Sequence, residues 1–223
     1  MEVNKIYNED CLLTMSNMDD CFIDLVVTSP PYDNLREYKN KIDKTWGEGV
    51  WKPILKELYR VVKNGGVVVW IVGDATINGS ETGTSFKQAL FAMDCGFRLH
   101  DTMIYEKNSS TYPSSKNSVR YSQIFEYMFV FSKGKPKNTF LICDKPNKWA
   151  GYKDFSGKLK NVVPKFSPRN NIWKYTTSFN DKTGHPAVFP EKLVDDCISS
   201  WSDNGDLVYD PFMGSGTTAK IAP

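Results

Sequence analysis

The sequence lacks the features that mark a membrane protein, a disulfide framework or a metal centre. No apolar run approaches the roughly 18 residues of a membrane span, and the N-terminus lacks the charged-then-apolar pattern of a signal peptide. The five cysteines are scattered and never spaced as CxxC, which is typical of reduced cytosolic thiols. With only two histidines, a histidine-rich metal site is not expected. A globular cytoplasmic protein without a bound metal is the expectation.

The net charge is small but unevenly distributed. The 223 residues, enough for one sizeable core, carry a formal charge of +2. Residues 133–182 contain twelve Lys or Arg against three Asp, a local charge of +9 that leaves −7 for the remainder. Such a region suits a polyanionic partner, although a solvated lysine-rich surface would give the same composition.

The pattern of apolar residues predicts an α/β fold with a Rossmann-like, doubly wound sheet. Short runs rich in β-branched residues predict buried parallel strands at 23–27, 67–72 and 206–209. Apolar residues at three- and four-residue spacing predict helices at 51–62, 84–95 and 190–201. Asn64-Gly65-Gly66 is interpreted as the stop of the first helix. Two further strands are predicted at 102–105 and 124–131, and this alternation of strand and helix is typical of α/β sheets.

Two stretches interrupt the pattern. Residues 108–122 are rich in Ser, Tyr and Asn and are interpreted as a mobile loop. In residues 132–181 the periodicity fails, while Lys, Asn, Gly, Pro and aromatic residues accumulate. We interpret this second stretch as a loop-rich basic insertion on the rim of the sheet.

A glycine-rich motif follows the last predicted strand. Residues 210–218 read Asp-Pro-Phe-Met-Gly-Ser-Gly-Thr-Thr, and glycines at such a point let the backbone turn sharply and approach a ligand. Thr217 stands where a phosphate-binding P-loop would have lysine. Asp210 at the strand tip would repel phosphate but attract an ammonium or sulfonium group. The motif therefore favours a cationic cofactor, with a plain strand-to-helix turn as the alternative.

A second motif, Thr28-Ser29-Pro30-Pro31-Tyr32, follows the first predicted strand. The two prolines stiffen the turn. Ser29 and the Pro30 carbonyl can both accept hydrogen bonds from one amino group, and Tyr32 offers a flat face on which a base can stack. A rigid turn with a hydrogen-bonded serine is the structural alternative.

In their order along the chain, with 28–32 before 210–218, the two motifs resemble those of DNA amino-methyltransferases. The resemblance is to the permuted group, in which the catalytic motif precedes the cofactor glycine loop. Ser29-Pro30-Pro31-Tyr32 matches the catalytic tetrapeptide, and 210–218 matches the cofactor element in full. Residues 182–191 resemble the segment that the family places near the methionine carboxylate. Asn8-Glu9-Asp10-Cys11 resembles the N-terminal element, whose Asp contacts the cofactor adenine.

The resemblance implies a set of functional residues and a cofactor, S-adenosyl-L-methionine. The implied catalytic residues are Ser29, Pro30, Pro31 and Tyr32. The implied cofactor-binding residues are Asp10, Cys11, Thr28, His185, Pro186, Asp210, Pro211, Phe212, Gly214, Ser215, Gly216, Thr217 and Thr218. His185 is expected to shape a turn rather than act as a base. The chain then divides into a catalytic half (1–131), a target-recognition insertion (132–181) and a cofactor-binding half (182–223).

The implied reaction methylates an exocyclic amine of a base flipped out of double-stranded DNA. Hydrogen bonds accepted by Ser29 Oγ and the Pro30 carbonyl would favour a pyramidal nitrogen, whose lone pair then attacks the sulfonium methyl. No Pro-Cys dipeptide is present, which disfavours carbon-5 cytosine chemistry. Serine at the head of the motif favours cytosine N4 over adenine N6. The DNA-contact candidates are Arg120, Lys133, Lys135, Lys137, Lys158, Lys160, Lys165 and Arg169.

The sequence departs from the family after the glycine loop. Only residues 219–223 follow Thr218, whereas the fold places an acidic residue about twenty positions further on to hold the ribose hydroxyls. A C-terminal truncation is therefore expected, and a catalytically impaired DNA-binding remnant is one alternative function. Methylation of an RNA or protein amine is another. The family resemblance further implies a bacterial or phage cytoplasm, a cognate restriction endonuclease as partner, and a monomer or homodimer.

Overall fold

The structure is a computed structural model that describes residues 1–32, 46–110, 114–152, 162–176 and 190–222. Its helices are α1 (Cys11–Ser16), α2 (Glu48–Val61), α3 (Thr84–Asp94), α4 (Glu191–Trp201) and α5 (Thr217–Ile221). Its strands are β1 (Ile23–Thr28), β2 (Val62–Val72), β3 (Thr76–Ile77), β4 (Ser80–Glu81), β5 (Arg98–Lys107), β6 (Phe125–Ser132), β7 (Lys145–Pro146), β8 (Phe166–Ser167), β9 (Ile172–Tyr175) and β10 (Val208–Tyr209). None of the described helices has the length and apolar character needed to cross a membrane.

Six strands form the main sheet, in the order β10-β1-β2-β6-β5-β9. β1 is parallel to both β10 and β2, and β6 is antiparallel to β2 and β5. β2 pairs with one side of β1, and β10, the last strand in the sequence, pairs with the other side. The carboxyl ends of β1 and β10 therefore meet at a topological switch point, where open α/β sheets bind their ligands.

Apolar cores lie on both faces of the sheet, as the doubly wound prediction requires. Side chains alternate along β2: Val68 and Trp70 face a core built with α2 and α3, whereas Val69 and Ile71 face a core built with α4. This arrangement confirms the α/β fold with a Rossmann-like sheet. Trp51, Trp70 and Trp201 are buried in these cores, and Trp46 is half-buried.

The predicted elements are recovered with shifted ends, and the assignment of the glycine pair was wrong. Gly65 and Gly66 lie inside β2, where the pairing with β1 shifts register. Gly65 has φ 87°, and a Cβ on Gly66 would lie 2.8 Å from Val62 Cγ1 and 2.9 Å from the Asp24 carbonyl oxygen. Gly65 is therefore needed for its left-handed conformation, and Gly66 for the close approach of its backbone to neighbouring atoms. The glycine pair does not end α2, because the helix already ends at Val61.

The stretch predicted as a loop-rich insertion contains a strand of the main sheet. β9 pairs in parallel with β5, and its residues alternate between exposed and buried positions, with Trp173 and Tyr175 on the inner face. β7 and β8 form a separate antiparallel pair. Much of the described part of 133–171 is irregular, but the sheet extends to Tyr175. The sequence interpretation failed there because a four-residue strand with charged neighbours carries little periodic signal.

Candidate active site

One carboxylate joins the turns that follow β1 and β10. The Thr28 hydroxyl donates to Asp210 Oδ1 over 2.6 Å, and the Thr218 hydroxyl donates to Asp210 Oδ2 over 2.8 Å. The backbone amide of Phe212 also donates to Oδ1, at 3.0 Å. Burial raises the pKa of Asp210 and outweighs these hydrogen bonds, which lower it. Asp210 therefore holds the two turns side by side, and both of its oxygens bind groups of the chain itself.

The glycine turn has the backbone shape that its sequence predicts. Gly214 and Gly216 adopt φ angles of 53° and 83°, in the left-handed region that favours glycine. Among the residues that the structure describes, a Cβ on Gly216 would meet no atom within 4 Å. Gly214 and Ser215 are exposed, while Thr217 is buried at the start of α5. A ligand can therefore approach this backbone closely.

Phe212 is held by two indole rings. Its ring packs edge-to-face against Trp46, with centroids 5.6 Å apart, and against Trp70 at 6.1 Å. Trp70 is in turn fixed by a hydrogen bond of 2.7 Å from its Nε1 to the buried Gln88 side chain. The implied contact of Phe212 with the cofactor stays a prediction.

The N-terminal element lies at the same end of the sheet. Asp10 accepts a hydrogen bond from the Leu12 amide and thereby caps α1. The pKa of Tyr209 is raised, by burial first and then by the nearby Cys11, Asp210, Glu9 and Asp10. Burial and the Asp10 charge raise the pKa of Cys11 to about 11. The acidic groups collected here fit a cofactor whose sulfonium and ammonium groups are positive.

The serine-diproline turn is anchored by a pair of charges that the sequence interpretation missed. Ser29 Oγ lies 2.8 Å from the Tyr32 hydroxyl, which donates to Glu126 Oε2 over 2.7 Å. Lys107 Nζ lies 2.6 Å from Glu126 Oε1. Pro30 is buried, whereas Ser29 and Tyr32 are half-buried. A lone carboxylate within the apolar run of β6 was the signal that could have identified Glu126.

Asp74, two residues beyond β2, binds the start of α3. Its carboxylate accepts from the Ser85 amide over 2.8 Å and from the Ser85 hydroxyl, in the first turn of α3.

Several lysines and arginines predicted to contact DNA are bound within the protein. Lys133 Nζ donates to the carbonyl oxygens of Tyr59, Arg60 and Val62 at 2.7, 3.3 and 2.9 Å, which engages its three hydrogens at the end of α2. Arg169 pairs with Asp144 and with the buried Asp196. These two side chains stabilise the fold, which argues against the phosphate contacts predicted for them.

The remaining basic candidates are nearer the surface. Lys137 pairs with Asp206 at 3.0 Å, and Lys165 lies over the Phe166 ring. Arg120 donates to the Gly79 carbonyl, and Lys135 is exposed. Four of the predicted site residues lie outside the described residues: Lys158, Lys160, His185 and Pro186.

Comparison with solved structures identifies the fold. The chain superposes on the PvuII DNA methyltransferase (cytosine-N4-specific) with a TM-score of 0.70 at 24% identity, covering 97% of this chain and 76% of that one. It superposes on TTHA0409 of Thermus thermophilus, in complex with S-adenosyl-L-methionine, with a TM-score of 0.61 at 22% identity, covering 96% of this chain and 82% of that one. The fold is therefore that of the Rossmann-like methyltransferases.

Sequence comparison defines the family. The model of the DNA methylase family matches residues 23–223, so this chain belongs to that family, whose members use S-adenosyl-L-methionine. It is 52% identical to the orphan methyltransferase M.BamHII of Bacillus amyloliquefaciens, over 92% of this chain and 82% of that protein. It is 28% identical to the type II methyltransferase M.BglII of Bacillus subtilis, over 99% of this chain and 62% of that protein.

Proposed function

We propose that this chain transfers the methyl group of S-adenosyl-L-methionine to the exocyclic amine of a base in double-stranded DNA. The observation that carries the proposal is the 2.6 Å hydrogen bond from Thr28 to Asp210, which holds the glycine turn beside the serine-diproline turn. A methyl donor on one turn can then meet an acceptor nitrogen on the other, and this positioning supplies much of the catalysis.

The cofactor end of the site is assigned to the glycine turn and the acidic N-terminal element. Bound S-adenosyl-L-methionine supplies an electrophilic methyl group on a sulfonium. Gly214 and Gly216 let the backbone approach it, and the exposed Asp10 is the candidate for its adenine. Asp210 keeps this turn against β1 while its negative charge favours the sulfonium.

The base end of the site is assigned to Ser29, Pro30 and Tyr32. The amine of a flipped base would donate its hydrogens to Ser29 Oγ and to the Pro30 carbonyl, and its lone pair would then face the methyl group. The Tyr32 ring is the candidate stacking surface. Acceptance of the two hydrogens weakens conjugation of the amine with the ring, which makes the nitrogen a better nucleophile.

Cytosine N4 is the proposed target, and adenine N6 is the second candidate. Serine at the head of the motif and the likeness in fold to the PvuII cytosine-N4-specific enzyme favour cytosine. The same two acceptors also suit the adenine amine, so the chemistry of the site permits both. Finding only N6-methyladenine in the product would overturn the cytosine assignment.

DNA is proposed to approach through the basic insertion, with Lys135, Lys137 and Lys165 as the remaining described contacts. A monomer or homodimer in a bacterial cytoplasm, with a cognate restriction endonuclease, is the proposed setting. Both relatives compared above come from Bacillus species.

Mass spectrometry of nucleosides tests the proposal directly. Duplex DNA is incubated with the full chain and S-adenosyl-L-methionine, digested, and searched for N4-methylcytosine, N6-methyladenine and 5-methylcytosine. We expect an amine-methylated nucleoside, which Ser29→Ala should strongly reduce. Only 5-methylcytosine, or equal yields from the variant, would refute the assigned chemistry.

Two rival functions have distinct outcomes. A DNA-binding remnant would bind duplex DNA without measurable affinity for the cofactor in calorimetry. A methyltransferase acting on RNA or protein amines would be inhibited by RNA or a peptide more strongly than by duplex DNA in a competition assay.

A further inference from the structure

Four side chains form a continuous chain of hydrogen bonds from a partly buried charge pair to the catalytic turn. Lys107 Nζ lies 2.6 Å from Glu126 Oε1, and Glu126 Oε2 accepts from the Tyr32 hydroxyl at 2.7 Å. The Tyr32 oxygen lies 2.8 Å from Ser29 Oγ. Glu126 is buried, at 8% exposure, and the side chain of Lys107 is 25% exposed. A buried carboxylate of this kind is stable when it is paired and hydrogen-bonded, as this one is.

The chemistry of these groups fixes the direction of every hydrogen in this chain of hydrogen bonds. An ionised carboxylate only accepts, and a lysine ammonium only donates. The single phenol hydrogen of Tyr32 is therefore committed to Glu126. Because Tyr32 has no second hydrogen, the bond between Ser29 and Tyr32 must be donated by Ser29 to the phenol oxygen.

This direction decides what Ser29 offers to a substrate. A serine hydroxyl can either donate or accept, but here its hydrogen points toward Tyr32, and its lone pairs remain for another donor. An exocyclic amine that is about to react needs an acceptor, because a hydrogen donated to its nitrogen would engage the attacking lone pair.

We propose that Glu126, supported by Lys107, is a positioning residue that sets the Ser29 hydroxyl as a hydrogen-bond acceptor for the target amine. This inference rests on the proposed function and extends it to two residues on β5 and β6. Tyr32 then has two separable roles: its hydroxyl transmits the orientation, and its ring is the candidate stacking surface.

Substitution of Glu126 by glutamine should reverse the direction of the hydrogen bonds from this residue to Ser29 rather than break them. Lys107 only donates, so it attracts the carbonyl oxygen of the new amide and leaves the NH₂ facing Tyr32. Tyr32 would then accept from the amide and donate to Ser29. The serine hydrogen would be displaced into the site, where it competes with the amine.

The test is a set of single-turnover methyl-transfer measurements with enzyme in excess over duplex DNA. We expect Glu126→Gln and Tyr32→Phe each to lower the rate constant about tenfold, the equivalent of about one net hydrogen bond. Cofactor affinity should stay within about twofold of wild type. Phenylalanine keeps the ring, so stacking is preserved and only the hydroxyl is tested.

The decisive comparison uses Ser29→Ala as background. If Glu126 and Tyr32 act through the serine hydroxyl, either substitution should cost less than about twofold when Ser29 is already alanine, because interactions that act as one unit are non-additive. Full additivity, or a wild-type rate for Tyr32→Phe, would overturn the inference.

Glu106→Gln is the matched control. Glu106 lies on β5 next to Lys107, and it pairs with Lys174 at 2.6 Å on the surface. The substitution removes the same charge from an exposed pair and should leave the rate at the wild-type value. If Glu126→Gln does not fold, as judged by thermal melting, the comparison of Tyr32→Phe in the wild-type and Ser29→Ala backgrounds still tests the inference. Failure of wild type to methylate any amine would instead refute the proposed function itself.

Discussion

At the scale of single residues, the site depends on which partner each polar group has. Asp210 was predicted to face the cofactor, and the structure shows that its two oxygens first accept hydrogen bonds from Thr28, Phe212 and Thr218. The sequence motif predicts that Asp210 lies near a ligand. It does not predict the hydrogen bond with Thr28 of β1, because the two residues are 182 positions apart in the sequence.

Asp210→Asn should change the pH dependence of stability. The folded-state pKa of Asp210 is raised by burial above its ordinary value near 4. Its contribution to stability is therefore complete below about pH 4 and is lost as the pH rises through the raised pKa. We expect the free energy of unfolding of wild type, relative to the variant, to fall as the pH rises above about 4 in urea titrations.

Asp206→Asn is the control of opposite sign. Burial raises the pKa of Asp206, but hydrogen bonds from the Asp203 amide and Lys137 outweigh it, so the net pKa is lowered. Its stabilisation is present above about pH 4 and is lost as the pH falls through the lowered pKa. If the free energy of unfolding of wild type, relative to Asp210→Asn, increased with rising pH, the raised pKa assigned to Asp210 would be wrong.

Lys133→Met should affect folding rather than DNA binding. Its ammonium group caps the C-terminal carbonyls of α2. Loss of these bonds and of a cation at the helix end is expected to cost about 1–2 kcal/mol of unfolding free energy in urea denaturation. Affinity for duplex DNA should be unchanged in fluorescence anisotropy at a fixed salt concentration.

Lys135→Met gives the opposite expectation. This exposed lysine should contribute to DNA affinity, with a salt dependence reduced by about one unit of slope, and its removal should change stability by less than about 0.5 kcal/mol. If Lys133→Met weakened DNA binding and left stability unchanged, the assignment of Lys133 to folding rather than to DNA binding would be wrong.

At the scale of elements, the predictions succeeded where apolar residues clustered between turn residues, and they failed where pairing with another strand determines the element. β1, β2 and the paired β10 follow from β-branched runs, and the positions of both motifs follow because parallel strand ends share one edge of a sheet. β9 is four residues long and is stabilised by pairing with β5. The Glu126–Lys107 pair depends on the register of β5 against β6, which single-sequence reasoning does not provide.

The docking of β9 against α4 depends on Arg169. Its guanidinium donates to Asp196 over 2.7 Å, and Tyr175 of β9 donates to the same oxygen over 2.6 Å. Asp196 is only 2% exposed. We expect Arg169→Met to lower the free energy of unfolding by about 2–4 kcal/mol, because a buried carboxylate loses a charged partner.

Lys174→Met is the matched comparison on β9. Lys174 pairs with Glu106 on the surface, so its loss should cost less than about 1 kcal/mol in the same denaturation measurement. Equal decreases in the free energy of unfolding for the two variants would show that burial of Asp196 does not increase the stabilisation by its ion pair.

At the scale of the whole molecule, the sheet order reverses between β1 and β10, and the candidate site lies where it does so. The sequence places both turns after parallel strands, and the topology makes those strands neighbours. Family membership follows from a match over residues 23–223, while the assignment of individual residues rests on the geometry of the two turns.

The proposed cofactor should stabilise the whole domain. Binding to the folded state alone contributes about 2.7 kcal/mol at a hundredfold excess over Kd, which corresponds to a rise in Tm of roughly 5–10 °C for a chain of this length. Differential scanning fluorimetry with S-adenosyl-L-methionine, and with adenosine as control, measures this shift. No shift at millimolar cofactor would favour the DNA-binding remnant.

The proposed reaction depends most on the serine-diproline turn accepting the hydrogens of the target amine. The most direct measurement is the single-turnover rate of tritium transfer from methyl-labelled S-adenosyl-L-methionine to duplex DNA, for wild type and Ser29→Ala. We predict that the variant binds the cofactor with unchanged affinity and transfers the label about 10- to 100-fold more slowly. Equal rates for the two proteins would contradict the account.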